Sequence, residues 1–211
     1  MLFRSFPIKC GVSYNSYVLL DEQTVLFDTV DASVAGQFFE NLEAALEGRS
    51  LDYLIVNHME PDHCAMIGDI VRRYPAVKIV GNTKTFGMMN QFFGTDFADR
   101  QVIVKEGETL STGKHNLTFV MAPMVHWPEV MMTYDTTDKI FFSADAFGKF
   151  GALDVEEEWD CEARRYYIGI VGKYGPMVQK LFGKVGSLEI KAICPLHGPV
   201  LTENLEHYLN L

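Results

Sequence analysis

The stretch Asn57-His58-Met59-Glu60-Pro61-Asp62-His63 decides the fold, because it concentrates four side chains of metal-binding type within seven residues. An apolar run at residues 51–56 precedes it and predicts a buried strand, and a helical pattern follows at residues 65–74. The polar stretch is therefore expected to form a loop that leads from a strand into a helix. Loops at strand ends commonly carry binding and catalytic residues.

The spacing within this loop is typical of residues on one side of an extended chain. Side chains of an extended chain alternate with a period of two, so residues 58, 60 and 62 are expected to point the same way. Pro61 disfavours helical geometry at Glu60. A turn into the following helix would direct His63 towards the same pocket from another angle. One loop can therefore provide ligands to two metal ions.

Three more candidate ligands follow other predicted strands. His126 and His197 lie near proline or glycine, and Asp145 follows an apolar strand pattern. Alone, each is more often a surface, capping or hydrogen-bonding residue than a ligand. Together, four His, two Asp and one Glu at strand ends predict a metal site. The remaining histidines, His115 and His207, are expected to be exposed.

Strand and helix patterns are mixed along the chain. Strand patterns occur at residues 14–20, 24–28, 51–56, 77–80, 101–104, 117–121, 130–134, 139–143 and 189–194. Helical patterns occur at residues 34–46, 65–74, 83–93, 160–173 and 176–185, and from residue 202 onwards. This order predicts an α/β sandwich with the sheets inside and the helices outside. With 48% apolar residues, a single domain is expected over residues 1–211.

Composition excludes several classes of partner. The net charge of −10, from 28 acidic and 18 basic residues, would repel nucleic acids and anionic membrane surfaces. The sequence has neither an apolar run of membrane-spanning length nor the apolar core of a signal peptide. Four cysteines without a C-x-x-C pair suit a reducing compartment. A cytoplasmic protein with no nucleic-acid or membrane partner is expected.

The order H-x-E-x-D-H, then a separate His, a separate Asp and a final His, resembles the metallo-β-lactamase domain of the flavodiiron proteins. The surrounding sequence agrees with that family at residues 11–17, 57–63, 126–129, 143–148 and 197–199. The resemblance covers nearly the whole chain. It implies a metallo-β-lactamase-like αββα sandwich that holds a non-haem diiron centre.

The resemblance also implies how two iron ions are bound. It assigns three ligands to each ion and one bridging ligand to both, namely His58, Glu60 and His126 for one, Asp62, His63 and His197 for the other, and Asp145 between them. Hydrolytic relatives usually carry a histidine where Glu60 stands, and a carboxylate favours iron over zinc in mixed nitrogen and oxygen coordination. Zinc also accepts carboxylates, so a metal-dependent hydrolase stays open.

Charge counting links this ligand set to oxygen. Three carboxylates, four neutral imidazoles and one bridging hydroxide would balance two divalent ions. Oxidation of both irons adds two positive charges, which a peroxide formed from O2 would match, so O2 is expected to bind as a peroxo adduct. The same sum fits a dizinc hydroxide, and it does not separate redox chemistry from hydrolysis.

Flavodiiron proteins normally continue into a flavodoxin domain that binds FMN. This sequence ends at Leu211 and shows no glycine-rich phosphate loop after a strand, so no in-chain FMN is expected. Reduction of O2 to water takes four electrons, whereas two irons store two. A peroxo form without an efficient donor is expected to persist, and a standalone domain of this kind resembles oxygen-binding diiron proteins that report O2 to chemotaxis or other signalling machinery. We therefore expect an oxygen sensor or carrier with a signalling partner. The alternative is an O2 or NO reductase that takes electrons from a separate rubredoxin or flavoprotein.

Aromatic residues near the predicted ligands are candidates for substrate contacts. Tyr166 and Tyr167 are candidate catalytic residues, of which one or the other would donate a proton to the bound substrate or contact its adduct. Trp127, Phe147 and Met59 are candidates for the lining of a small apolar gas pocket. Ordinary core packing explains each of these three residues equally well.

Overall fold

A computed structural model describes residues 10–156 and 158–210, and two five-stranded sheets form its centre. The first sheet contains, in spatial order, β1 (Tyr17–Leu19), β2 (Val25–Phe27), β3 (Tyr53–Ile55), β4 (Lys78–Gly81) and β5 (Gln101–Ile103). The second contains, also in spatial order, β6 (Thr109–Ser111), β7 (Asn116–Met121), β8 (Met131–Asp135), β9 (Ile140–Phe142) and β10 (Ala192–Cys194). β2 to β5 are parallel, whereas β6 to β9 are antiparallel and β10 pairs parallel with β9.

The two sheets pack face to face through apolar side chains. The rings of Phe27 in β2 and Phe142 in β9 are stacked, with their centroids 3.8 Å apart. Val25 joins this inner layer, while Leu26 faces the other side, as the period of two in a strand requires. Each sheet therefore has an inner face that packs against the other sheet and an outer apolar face that other elements must bury.

Helices cover both outer faces. They are α1 (Ala35–Leu46), α2 (Pro61–Cys64), α3 (Ile67–Arg73), α4 (Thr83–Phe93), α5 (Trp159–Ile170), α6 (Gly175–Val185) and α7 (Leu205–Asn210). Helices α1, α3 and α4 bury apolar side chains against the first sheet, and α6 does so against the second. The predicted αββα sandwich is confirmed. Among the described residues, no helix is long and apolar enough to cross a membrane.

The structure differs from the sequence-based expectations at three places. Asp62 and His63 lie in the one-turn helix α2, so the extended alternation proposed for residues 58, 60 and 62 is wrong at its last member. Strand β6 was not predicted, because it is an edge strand with one apolar residue, Leu110, between two polar ones. His115 is half-buried, and its Nδ1 lies 2.7 Å from Asp135 Oδ2.

The carboxylate of Asp21 ties the two sheets together at one end. Asp21 follows β1 of the first sheet, and its Oδ2 accepts hydrogen bonds from the Thr112 hydroxyl at 2.8 Å and the His115 N–H at 2.9 Å. Both donors belong to the turn between β6 and β7 of the second sheet.

Replacing Asp21 with Ala should lower the free energy of unfolding by on the order of 1 to 3 kcal/mol, because both donors lose their acceptor. Chemical denaturation measures this difference.

The effect of Asp21→Ala should depend on pH. Desolvation tends to raise the pKa of Asp21, but the hydrogen bonds from His115 and Thr112 hold it below the ordinary value. The stabilisation is therefore present above the ordinary aspartate pKa of about 3.9 and is lost as the pH falls through the lower pKa of the folded protein. The exposed Asp154→Asn is the control and should follow the wild type. A wild-type advantage that stays constant into strong acid would contradict this prediction.

Candidate metal centre

Seven side chains come together at the ends of strands from both sheets. His58 and Glu60 follow β3, Asp62 and His63 lie in α2, His126 lies between β7 and β8, Asp145 follows β9, and His197 follows β10. The structure thus brings together every residue that the sequence analysis singled out as a ligand. That these residues bind metal stays a prediction.

The first group consists of His58, Glu60, His126 and one oxygen of Asp145. His58 Nε2 lies 3.2 Å from His126 Nε2, and Glu60 Oε2 lies 3.3 Å and 3.0 Å from these two nitrogens. Asp145 Oδ2 lies 3.0 Å from His126 Nε2. Two imidazole nitrogens and two carboxylate oxygens therefore surround one small space.

The second group consists of Asp62, His63, His197 and the other oxygen of Asp145. His63 Nε2 lies 3.1 Å from His197 Nε2, and Asp62 Oδ2 lies 3.6 Å and 3.5 Å from these nitrogens. Asp145 Oδ1 lies 3.2 Å from His63 Nε2. Because each oxygen of Asp145 faces a different group, this carboxylate is placed to bridge two metal ions.

These spacings fit metal coordination. Ligand atoms at about 2.1 Å from one ion lie about 3.0 to 3.4 Å apart in octahedral or tetrahedral geometry, which matches the separations between the histidine nitrogens. Asp62 Oδ1 is buried without a hydrogen-bond partner among the described residues. An unsatisfied buried carboxylate oxygen is costly unless a cation binds it.

Two further buried carboxylates hold the first group in place. Glu129 Oε1 lies 2.9 Å from His58 Nδ1 and accepts a hydrogen bond from the Met59 N–H at 2.9 Å. Asp28 accepts hydrogen bonds from the N–H groups of His58 and Asn57 at 3.0 Å and 2.8 Å. With Nδ1 bonded to Glu129, His58 directs the lone pair of Nε2 towards the centre.

The second group has a weaker set of supports. His197 Nδ1 lies 2.7 Å from the backbone carbonyl oxygen of Ser13 and donates to it. His63 Nδ1 is buried and has no hydrogen-bond partner among the described residues. The two groups therefore have similar nitrogen and oxygen atoms facing the centre, but the outward Nδ1 atoms of their histidines have different hydrogen-bond partners.

The electrostatics of the centre favour positive charge between the carboxylates. Burial raises the pKa of Asp145, but the charges of His58 and His63 and the hydrogen bond with His126 hold it well below the ordinary value. Burial lowers the pKa of His58, but the charge of Asp145 and the hydrogen bond to Glu129 raise it well above the ordinary value. Metal cations would take the place of the protons that these imidazoles attract.

The aromatic candidates occupy different surroundings. Tyr166 is buried, its ring lies 5.6 Å from the His197 ring, and burial together with the charges of Asp145 and Glu60 raises the pKa of its hydroxyl well above the ordinary value. Tyr167 is 43% exposed. The Trp127 ring lies 5.4 Å from the His58 ring, whereas Met59 packs in the core between the first sheet and its helices. Of the two tyrosines, only Tyr166 is placed beside the predicted ligands.

The supporting carboxylates Asp28 and Glu129 were not among the site residues predicted from the sequence. Asp28 ends an apolar strand pattern and Glu129 follows a proline, so neither position signals a buried acid. A further group of His115, Asp135 and Asp138 has metal-binding atoms within 4.8 Å of one another, but Asp138 is exposed. Close acidic groups of this kind are common without a bound ion.

Comparison with known proteins identifies the family. The sequence profile described as ODP family beta lactamase matches residues 12–198. The chain belongs to this family.

Relatives of this ODP-family chain include the anaerobic nitric oxide reductase flavorubredoxin of Aliivibrio fischeri. It is 35% identical over 212 residues, which cover 94% of this chain and 42% of the relative. The nitric oxide reductase of Moorella thermoacetica is 32% identical over 204 residues, covering 92% of this chain and 51% of the relative.

Solved structures give the same family relationship. The flavodiiron protein of Giardia intestinalis superposes with a TM-score of 0.90 at 26% identity, over 99% of this chain and 53% of that protein. The rubredoxin oxygen:oxidoreductase of Desulfovibrio gigas gives 0.89 at 28% identity, over 96% of this chain and 53% of that protein. The ODP-family chain thus spans about half the length of these flavodiiron proteins, and the resemblance seen in its motifs is confirmed.

Glu129 offers a test of the support around the first group. Glu129→Gln keeps the size of the side chain but removes the charge that orients His58, and it should weaken the binding of a divalent metal ion by about 10- to 100-fold. Competition with a chelator measures the affinity. Glu40→Gln on the exposed side of α1 is the control and should bind like the wild type. Equal affinities of Glu129→Gln and the control would show that Glu129 does not support the centre.

Proposed function

We propose that this ODP-family domain holds two iron ions and serves in the reduction of O2 or NO with electrons from a separate donor. The observation that carries the proposal is the pair of groups that share Asp145, each with two imidazoles and one carboxylate of its own. Glu60 supports iron over zinc, because a carboxylate is a hard ligand. When bound, two iron ions would supply redox electrons and open coordination positions to a diatomic substrate.

The names of relatives support a reductase. The Moorella relative is called a nitric oxide reductase, and the Desulfovibrio structure is called a rubredoxin oxygen:oxidoreductase. The electron donor we propose is a flavoprotein or a rubredoxin, since the names of relatives refer to a flavin and to rubredoxin. The reductase, which the sequence analysis gave as the alternative, is therefore preferred. The oxygen sensor or carrier stays a prediction that the same experiment tests.

The protein side chains would prepare the site for its substrate. The rings of Trp127 and Tyr166 lie beside His58 and His197 and exclude water from two sides of the centre. We propose that Tyr166 holds its proton at Oη and offers it to the bound substrate, because its ring lies beside His197, and burial together with the charge of Asp145 raises the pKa of its hydroxyl well above the ordinary value. Tyr167, with its exposed side chain, is the weaker candidate for this role.

Metal content and gas consumption test the proposal. Anaerobically purified protein should contain two iron ions per chain, and with reduced rubredoxin or a reduced flavoprotein it should consume O2 or NO over many turnovers. Metal analysis and gas electrodes measure these quantities. A lasting spectral change with O2 and no turnover would favour the sensor or carrier. Zinc in place of iron, with no consumption of either gas, would favour the hydrolase and overturn the proposal.

The bridging assignment of Asp145 predicts a specific pattern of metal loss. Asp145→Ala should lower metal occupancy at both positions, because both groups lose a ligand. Asp62→Ala is the matched control and should lower occupancy at the second position alone. Metal counting together with Mössbauer spectra of ⁵⁷Fe-loaded protein separates the two patterns. Retention of two irons by Asp145→Ala would show that Asp145 does not bridge them.

A further inference from the structure

An apolar cavity of about 530 Å³ lies between the second sheet and helices α5, α6 and α7. Its walls include Met132 and Phe141 from the sheet, Ala163 from α5, and Val178 and Leu181 from α6. All five of these side chains are buried. Most of the cavity wall is apolar, although Arg164 and Gln179 also line it, and apolar walls accept small apolar molecules such as xenon.

The inner end of this cavity reaches the candidate metal centre. Asp145, Gly148 and Tyr166 line it there, and the Tyr166 ring lies 5.6 Å from the ring of His197. A Cβ at Gly148 would lie 2.9 Å from the Asp145 carbonyl oxygen and 3.0 Å from the Tyr166 ring. The glycine therefore allows Tyr166 to pack closely against the segment that carries Asp145.

The outer end of the cavity lies at the surface of α5 and α6. Tyr167, Ile168 and Phe182 line it and are 43%, 71% and 41% exposed. The centre also meets solvent on another side, where the Glu60 side chain is 27% exposed. The centre therefore has a polar side at Glu60 and an apolar side at the cavity.

We infer that this cavity is the access route and reservoir through which small apolar gas molecules reach the centre. O2 and NO are uncharged and nearly apolar, so they partition into a mainly apolar cavity more readily than ions do. Ions, protons and the electron donor would use the polar side at Glu60. The inference rests on the proposed function, since it names the path of the same substrates.

Xenon and gas kinetics test the inference. Crystals of iron-loaded protein under xenon pressure should show xenon in the cavity. Ala163→Phe should fill that space, exclude xenon and slow the association of O2 or NO with the reduced protein several-fold, with unchanged iron content. Ala44→Phe, at an exposed position of α1, is the matched control and should associate with the gas like the wild type. If Ala163→Phe does not fold, Ala163→Leu makes the same test with a smaller side chain.

Two results would overturn the inference. One is the absence of xenon from the wild-type cavity, and the other is loss of xenon in the variant with unchanged gas association. A wild-type protein that binds no iron would instead overturn the proposed function. Because iron content is measured before the xenon and gas experiments, the two failures are distinguishable.

Discussion

The buried carboxylate of Asp145 faces two groups of imidazoles at once, and its two oxygens lie 3.0 Å from His126 Nε2 and 3.2 Å from His63 Nε2. A carboxylate removed from water is costly unless opposite charge and hydrogen bonds compensate for its lost hydration. Glu60 and Asp62 bring two more carboxylates into the same space, so the centre needs several positive charges. Protonated imidazoles meet this need partly. Metal cations meet it while leaving the inward nitrogens free to act as ligands, which is why the arrangement fits a dinuclear metal site.

The packing of the two sheets sets the geometry around Asp145, because neither sheet supplies the whole centre. The stacked rings of Phe27 and Phe142 fix one sheet against the other. Asp28 follows Phe27 directly. Its carboxylate accepts a hydrogen bond from the backbone N–H of His58 and so holds the loop that carries His58. Asp145 lies three residues after Phe142. A shift between the sheets would therefore move Asp145 relative to the ligands that follow β3, and the apolar core controls the distances within the polar centre.

Local sequence features predicted the candidate ligands. Contacts between residues far apart in the sequence could not be predicted from these features. Residues of metal-binding type at strand ends are visible in the sequence, and the mixed strand and helix patterns predict an α/β sandwich. The role of Glu129 was not visible, because it depends on His58, 71 residues away. His115 was expected to be exposed for the same reason, since its partner Asp135 ends strand β8, 20 residues further along the chain. An apolar gas pocket was expected, and of its three candidate lining residues Phe147 lines the cavity, whereas Trp127 and Met59 are not among its lining residues. The position of the cavity beside α5, α6 and α7 was not predicted. An apolar pattern predicts that a residue such as Ala163 is buried, but it does not predict the space that helix packing leaves beside it.

The unequal supports of the two groups have a consequence for redox chemistry. His58 has a carboxylate, Glu129, at its outer nitrogen, whereas His197 has the neutral backbone carbonyl of Ser13. A carboxylate partner draws the Nδ1 proton and makes the imidazole a more basic ligand. The inner ligands of the two groups are otherwise alike, with one carboxylate and two imidazoles each besides the shared Asp145. If the proposed iron ions are bound, the residues beside His58 would therefore form the more electron-rich ligand set of the two, and Glu129, which would touch neither metal nor substrate, would set this difference.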